Sequence, residues 1–168
     1  MKAIILAAGT ASRLRPLTEH TPKSLLKIGQ RSLLQRSMDA LIANGISQFC
    51  IVTGYLHEQI EQFVAQQYPT LDVRFIHNPD YASTNNIYSL WMARSEADGE
   101  DILLLDSDLL YDPQIVSRVK AADSPNILTL IRHELGEEEM KVVTDAQGSI
   151  LEINKTCSPA QAVGESLG

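Results

Sequence analysis

Two stretches of the chain have residue types and spacing suited to chemistry on an anion. The first is Leu6-Ala7-Ala8-Gly9-Thr10-Ala11-Ser12-Arg13-Leu14-Arg15-Pro16-Leu17-Thr18, followed by Pro22-Lys23-Ser24-Leu25-Leu26. Small residues at 7–9 let a ligand approach the main chain closely. Exposed N–H groups in such a loop suit phosphate oxygens. Arg13 can bind phosphate bidentately, and Lys23 can act as a point charge. The same residues would equally suit a tight strand exit with solvated cations. The run lacks the second and third glycines of a dinucleotide fingerprint and the Gly-Lys-Ser/Thr of a P-loop.

The second stretch is Asp106-Ser107-Asp108. Carboxylates at i and i+2 share one face if the extended conformation continues past the strand. Oxygen ligands of this kind suit Mg²⁺; helix capping or plain solvation would use the same pair. A third stretch, Asn78-Pro79-Asp80-Tyr81 through Asn85-Asn86-Ile87-Tyr88-Ser89-Leu90, puts paired amides ahead of a helix. Such amides read base edges, hold phosphate or cap the helix. A quaternary ammonium would need aromatic faces. Tyr81, Tyr88 and Trp91 are near in sequence, but helical spacing favours Trp91 as core, so no cage is expected. His20, His57, His77 and His133 show no ligand spacing and receive no role.

Charge distribution points the same way. The chain of 168 residues carries −7 overall. Residues 1–31 hold Lys2, Arg13, Arg15, Lys23, Lys27 and Arg31 against Glu19 alone, a local excess of five positive charges, so the remainder carries −12. A basic segment on an acidic body suits a local anionic ligand. The acidic whole argues against nucleic acid as a partner. At 44% hydrophobic and 21% charged the composition excludes disordered, collagen-like and membrane-embedded classes. The apolar stretch after Met1 is too short for a signal peptide or a spanning helix, so no membrane association is expected. Cys50 sits in an apolar run, and two distant cysteines without a CxxC pattern make neither metal site nor disulfide framework. The cytoplasm is the expected compartment.

These clusters need elements to position them. Residues 2–8 are a continuous apolar run, the pattern of a buried parallel strand. Residues 32–43 have helical periodicity, with Ser32 as N-cap and Asn44-Gly45 as the stop. Strands are expected at 49–52, 73–76, 102–105 and 127–131, and helices at 57–67, at 86–94 with Ile87, Leu90 and Trp91 on one face, and after Asp112-Pro113. A hairpin is expected around Asp145-Ala146-Gln147-Gly148. The alternation predicts an α/β domain: a mostly parallel central sheet with helices on both faces. Ligands of such folds bind beyond the carboxyl ends of the strands. The loops at 9–24 and 106–112 both follow strands and should open on one edge. Residues 1–168 read as a single domain.

The first stretch resembles the signature loop of nucleotidyltransferases that make nucleoside-diphosphate sugars and alcohols. That resemblance implies the nucleotide-diphospho-sugar transferase fold. The stretch from Asn78 to Leu90, with its pattern Asn85-x-Ile87-Tyr88-Ser89, together with Val52-Thr53-Gly54-Tyr55, resembles the phosphocholine and aminoalkylphosphonate cytidylyltransferase branch. The activity implied is Mg²⁺-dependent transfer of a nucleotidyl group from a nucleoside triphosphate, CTP in this branch, to a small phosphate or phosphonate acceptor such as phosphocholine, with release of pyrophosphate. Arg13 and Lys23 would be catalytic cations. Leu6, Ala7, Ala8, Gly9, Asn85 and Asn86 would position the nucleotide. Asp108 would hold Mg²⁺, with Asp106 beside it. Acceptor-binding residues and oligomeric state are not assigned. Family members usually run past 200 residues and supply a late metal-holding aspartate, whereas no Asp follows Asp145 here; a C-terminally truncated domain is therefore expected. The alternatives are a sugar-1-phosphate nucleotidyltransferase using UTP, dTTP or GTP, and a non-catalytic nucleotide-binding module.

Overall fold

A computed structural model describes residues 1–167. It contains two compact units, Met1–Ser117 and the residues from Arg118 on. In the first, β1 (Lys2–Ala7) leads through a long loop to a small ladder of β2 (Lys27–Ile28) and β3 (Arg31–Ser32). There follow α1 (Leu33–Ala43), β4 (Gln48–Thr53), α2 (His57–Gln67), β5 (Asp72–His77), α3 (Asn86–Met92), β6 (Ile102–Asp106) and the first half of α4 (Gln114–Ala121). The main sheet has the order β5-β4-β1-β6, and every pair in it is parallel. The α/β expectation holds.

Strand β1 lies inside the sheet and is buried from Ala3 to Ala7, which is why it reads as an unbroken apolar run. Its alternate side chains serve two cores. Ala3, Ile5 and Ala7 pack with Phe49, Ile51 and Leu105 under Leu34, Met38 and Leu41 of α1, Ile60 and Val64 of α2 and Val116 of α4. Ile4 and Leu6 pack with Cys50 and Val52 on the other face, against Leu90 and Ala93. Helices thus cover both faces. At the start of α1, Ser32 Oγ accepts a hydrogen bond from Gln35 N at 3.1 Å, the expected cap.

Helix α3 departs from expectation. It has seven residues, and a 3₁₀ turn at Arg94–Glu96 follows it. Ile87 is 73% exposed and Trp91 53% exposed; only Leu90 of the expected apolar face joins the core. The buried side is small and polar instead. Ser89 is buried, and its Oγ accepts a hydrogen bond from Asn78 Nδ2 at 3.2 Å. Asn78 also donates to Thr84 Oγ1 and accepts from Asp80 N, so its buried amide ties the preceding turn to α3.

The far end of this helical segment is clamped. Glu96 is 7% exposed and receives Lys2 Nζ at 3.0 Å and Arg74 Nη1 at 2.5 Å. The Glu96 carboxylate holds the Lys2 pKa above its ordinary value, chiefly through that hydrogen bond. One carboxylate therefore joins the segment after α3 to β1 and β5.

The second unit is an antiparallel sheet of order β7-β10-β8-β9, built from β7 (Leu130–Ile131), β8 (Lys141–Thr144), β9 (Ile150–Asn154) and β10 (Gly164–Ser166). The β8–β9 hairpin turns where expected, with Asp145 Oδ1 accepting from Gln147 N and Ser149 N. The expected strand at 127–131 shrinks to two residues and pairs antiparallel with β10 rather than joining the parallel sheet. A short apolar run does not distinguish these two settings. β10 itself has no apolar residue to announce it. Gly164 lets it approach β7, because a Cβ there would lie 2.7 Å from Ile131 O.

Glu96→Ala should cost about 1.5–3 kcal/mol of stability, the range for hydrogen bonds to charged groups. Denaturant unfolding measures this; an unchanged midpoint would show that the clamp holds nothing.

Candidate active site

The cleft is a consequence of strand pairing. β1 and β6 are parallel neighbours, with Leu6 opposite Asp106. Their carboxyl ends therefore open side by side, and Ser107 N donates to Leu6 O at 3.1 Å just past the exit. A cavity of about 270 Å³ lies there. Leu6, Ala7, Gly9, Arg13, Lys23, Asn86, Asp106 and Asp108 all line it. Residues more than 80 positions apart thus meet at one sheet edge.

The loop after β1 is folded upon itself. A 3₁₀ turn at Ser12–Leu14 carries Arg13, and another at Lys23–Leu25 carries Lys23. Ala11 enters the first turn at φ 47°, a left-handed conformation that costs a non-glycine residue about 1–3 kcal/mol. Thr18 is fully buried and donates from Oγ1 to Ala11 O at 2.9 Å, closing the loop across its waist.

Lys23 Nζ forms an ion pair with Asp108 Oδ2. Asp106 Oδ1 accepts a hydrogen bond from Asn86 Nδ2 at 2.9 Å. The Asp106 pKa is raised, first by burial and then by the neighbouring Asp108 charge, with Lys23 offsetting part of it. The acidic wall therefore carries negative charge that Lys23 compensates only in part.

Two expected residues stand apart from this cavity. Ala8 does not line it; its carbonyl accepts from Tyr55 N at 3.1 Å. Asn85 is the N-cap of α3, its Oδ1 accepting from Tyr88 N at 3.3 Å. Of the two amides, Asn86 faces the aspartates and Asn85 caps. Sequence reasoning missed Ser24, which is 2% exposed and lines the same cavity. Its place beside Lys23 was the available signal. It also missed Gly54. A Cβ there would lie 2.6 Å from Ala8 O and 2.7 Å from Tyr81 Cβ, so only glycine lets the β4 exit press against the β1 exit.

The aromatic residues do not assemble a cage. Trp91 stacks with Tyr88 at 5.6 Å, and the Arg94 guanidinium sits 4.1 Å from the indole centroid. That cation already uses the indole π-face. Tyr81 pairs instead with Tyr55, at 6.1 Å.

Asp106 and Asp108 have the donor chemistry for a hard divalent cation, and the partly uncompensated charge of their wall fits one. Among the described residues no trio of His, Cys, Asp and Glu could enclose a metal alone. Two carboxylates suffice where substrate phosphates and water complete the shell, as is usual for Mg²⁺. Among the described residues no helix is long and apolar enough to cross a membrane.

Comparison with known proteins agrees with this geometry. The choline-phosphate cytidylyltransferase of Streptococcus pneumoniae is 40% identical over 109 residues, covering 65% of this chain and 46% of that protein. The choline-phosphate cytidylyltransferase of Haemophilus influenzae is 33% identical over 154 residues, covering 92% of this chain and 62% of that protein. A solved structure of the CTP:phosphocholine cytidylyltransferase from Streptococcus pneumoniae superposes with a TM-score of 0.67 at 28% identity, over 98% of this chain and 65% of that one. The chain thus spans about half to two thirds of the length of these relatives. The nucleotidyl transferase family profile matches residues 2–147, and the chain belongs to that family.

Proposed function

We propose that this chain carries the nucleotide half of a cytidylyltransferase site. It would transfer CMP from CTP to a small phosphate or phosphonate acceptor of the phosphocholine or aminoalkylphosphonate class. One observation carries the reading: Arg13, Lys23, Asp106 and Asp108, drawn from two distant segments, line a single cavity at the carboxyl edge of the sheet. The similarity to choline-phosphate cytidylyltransferases supports the choice of base and acceptor.

In this reading an acceptor oxygen attacks the α-phosphorus of CTP, the bond to the bridging oxygen breaks, and pyrophosphate leaves. Such displacements are catalysed mainly by positioning and charge neutralisation. Arg13 and Lys23 counter the triphosphate charge. Main-chain groups at Leu6, Ala7 and Gly9 sit against the nucleotide without side-chain obstruction. Asn86 holds Asp106 in orientation through its amide. Asp108 and Asp106 would hold Mg²⁺, which supplies charge neutralisation at the phosphate oxygens. Lys23 meets Asp108 directly, so the lysine has a defined seat before any phosphate reaches it.

Pyrophosphate release from CTP or UTP tests this, with phosphocholine, 2-aminoethylphosphonate and glucose 1-phosphate as acceptors. Turnover with the first or second supports the reading. Turnover only with the sugar phosphate and UTP replaces it with sugar activation, and CTP binding without turnover replaces it with a binding module. Arg13→Ala, Lys23→Ala and Asp108→Asn should each lose about tenfold to a thousandfold, as for one preorganised charge contact. Full activity in all three would defeat the site.

The raised Asp106 pKa gives a second prediction. Between the ordinary carboxylate value, about 4, and its raised folded value, the folded state binds the proton more strongly than the unfolded state. Stability therefore falls as pH rises through that window. Asp106→Asn keeps an acceptor for Asn86 and removes the ionisation, so it should raise Tm at pH 7. The advantage should shrink as pH falls through that window and be gone below about 4. Thermal melts of both proteins across pH measure it, and a lower Tm for the variant at pH 7 would contradict it.

A further inference from the structure

We propose that Tyr55 is a positioning residue that holds the aim of the cationic loop. The consequence for nucleotide binding rests on the reading above; the tether does not. Tyr55 follows Gly54 at the β4 exit and makes three contacts, two with the loop after β1 and one with the segment ahead of α3. Its main-chain N–H donates to Ala8 O at 3.1 Å, at the root of the loop. Its hydroxyl donates to Glu19 O at 2.7 Å, on the return leg toward Lys23. Its ring packs on Tyr81, in the segment that leads to Asn85 and Asn86.

The loop needs such a tether. Residues 12–17 are exposed, and Leu17 is 66% exposed, so no apolar burial seats this part of the loop. Thr18 stitches the loop to itself, which sets its shape but not its direction. Direction comes from the start of α2. Gln59 Nε2 adds a second bond there, to His20 O at 3.1 Å. Between the two tethering side chains, Leu56 stands at φ 52° as the N-cap of α2, a strained left-handed conformation that persists only where its surroundings impose it. That turn of the chain presents Tyr55 and Gln59 to consecutive carbonyls of the return leg. Arg13 and Lys23 lie on opposite legs of the loop thus held.

Tyr55→Phe keeps the ring and the main-chain bond and removes only the hydroxyl. Hydrogen exchange on the full ligand-free chain should show residues 12–22 exchanging about three- to tenfold faster, the factor of one lost hydrogen bond, with Tm nearly unchanged. Gln59→Ala should act in the same direction. Tyr68→Phe, which loses a hydroxyl bond to Asp39 instead, should leave that segment unaffected. With Mg²⁺ present, Tyr55→Phe should weaken CTP several-fold and CMP little, because the loop's cations face the outer phosphates. A merely structural role would weaken both alike. Unchanged exchange at residues 12–22 overturns the tether. Faster exchange with equal losses for CTP and CMP overturns the positioning role. If the wild-type chain binds no CTP, the nucleotide reading falls, and the exchange result alone decides the tether.

Discussion

Everything in the cleft depends on β1 and β6 lying side by side and running in the same direction. Parallel pairing brings two carboxyl ends to one edge, and Leu6 opposite Asp106 sets the level at which they emerge. A loop carrying Arg13 and Lys23 leaves one strand, and a pair of carboxylates leaves the other. Neither cluster has much meaning alone, since exposed cations and strand-end aspartates are common. Their convergence on one cavity gives them a shared purpose, and it follows from topology rather than from any special local structure.

Electrostatics then works against stability. Asp106 is partly buried beside Asp108, and both effects disfavour its charge. The Lys23–Asp108 ion pair and the Asn86–Asp106 hydrogen bond relieve only some of this. Ala11 adds backbone strain at the mouth of the same loop. A wall selected for folding alone would lose such conflicts; under the proposed function they accompany a site for a cation and an anionic ligand. The scaffold compensates elsewhere, with two apolar layers sharing the buried strand β1 and the Glu96 clamp at its amino end.

Much of this was legible in the residues. Buried parallel strands read as apolar runs, and β1, β4 and β6 appeared where such runs occur, while the edge strand β5 was legible from Val73, Phe75 and Ile76 despite having no buried residue. The ends of α1 were legible because Ser32 and Asn44-Gly45 have one local conformational use each. The convergence of Arg13, Lys23 and Asp108 was legible because an alternating α/β order leaves little freedom about where strand exits point. What escaped was decided by tertiary contact. The buried side of α3 is chosen by Ser89 and its bond to Asn78, so Trp91 is left outside. Asn85 and Asn86 are chemically identical, and only the helix start assigns one to the cap and the other to Asp106. β10 has three residues and no apolar content, so only its partners reveal it. Neither the left-handed Ala11 nor the reach of Tyr55 to Glu19 has a local signature.

Helix α3 spans only about 10 Å at the usual rise per residue, yet its two ends meet opposite demands. Its first residue donates an amide hydrogen bond to Asp106, while the turn beyond its last is bolted through Glu96 to β1 and β5. Grip and chemistry are thus separated along a single short rod. Substitution at the front end therefore leaves the hold at the back in place.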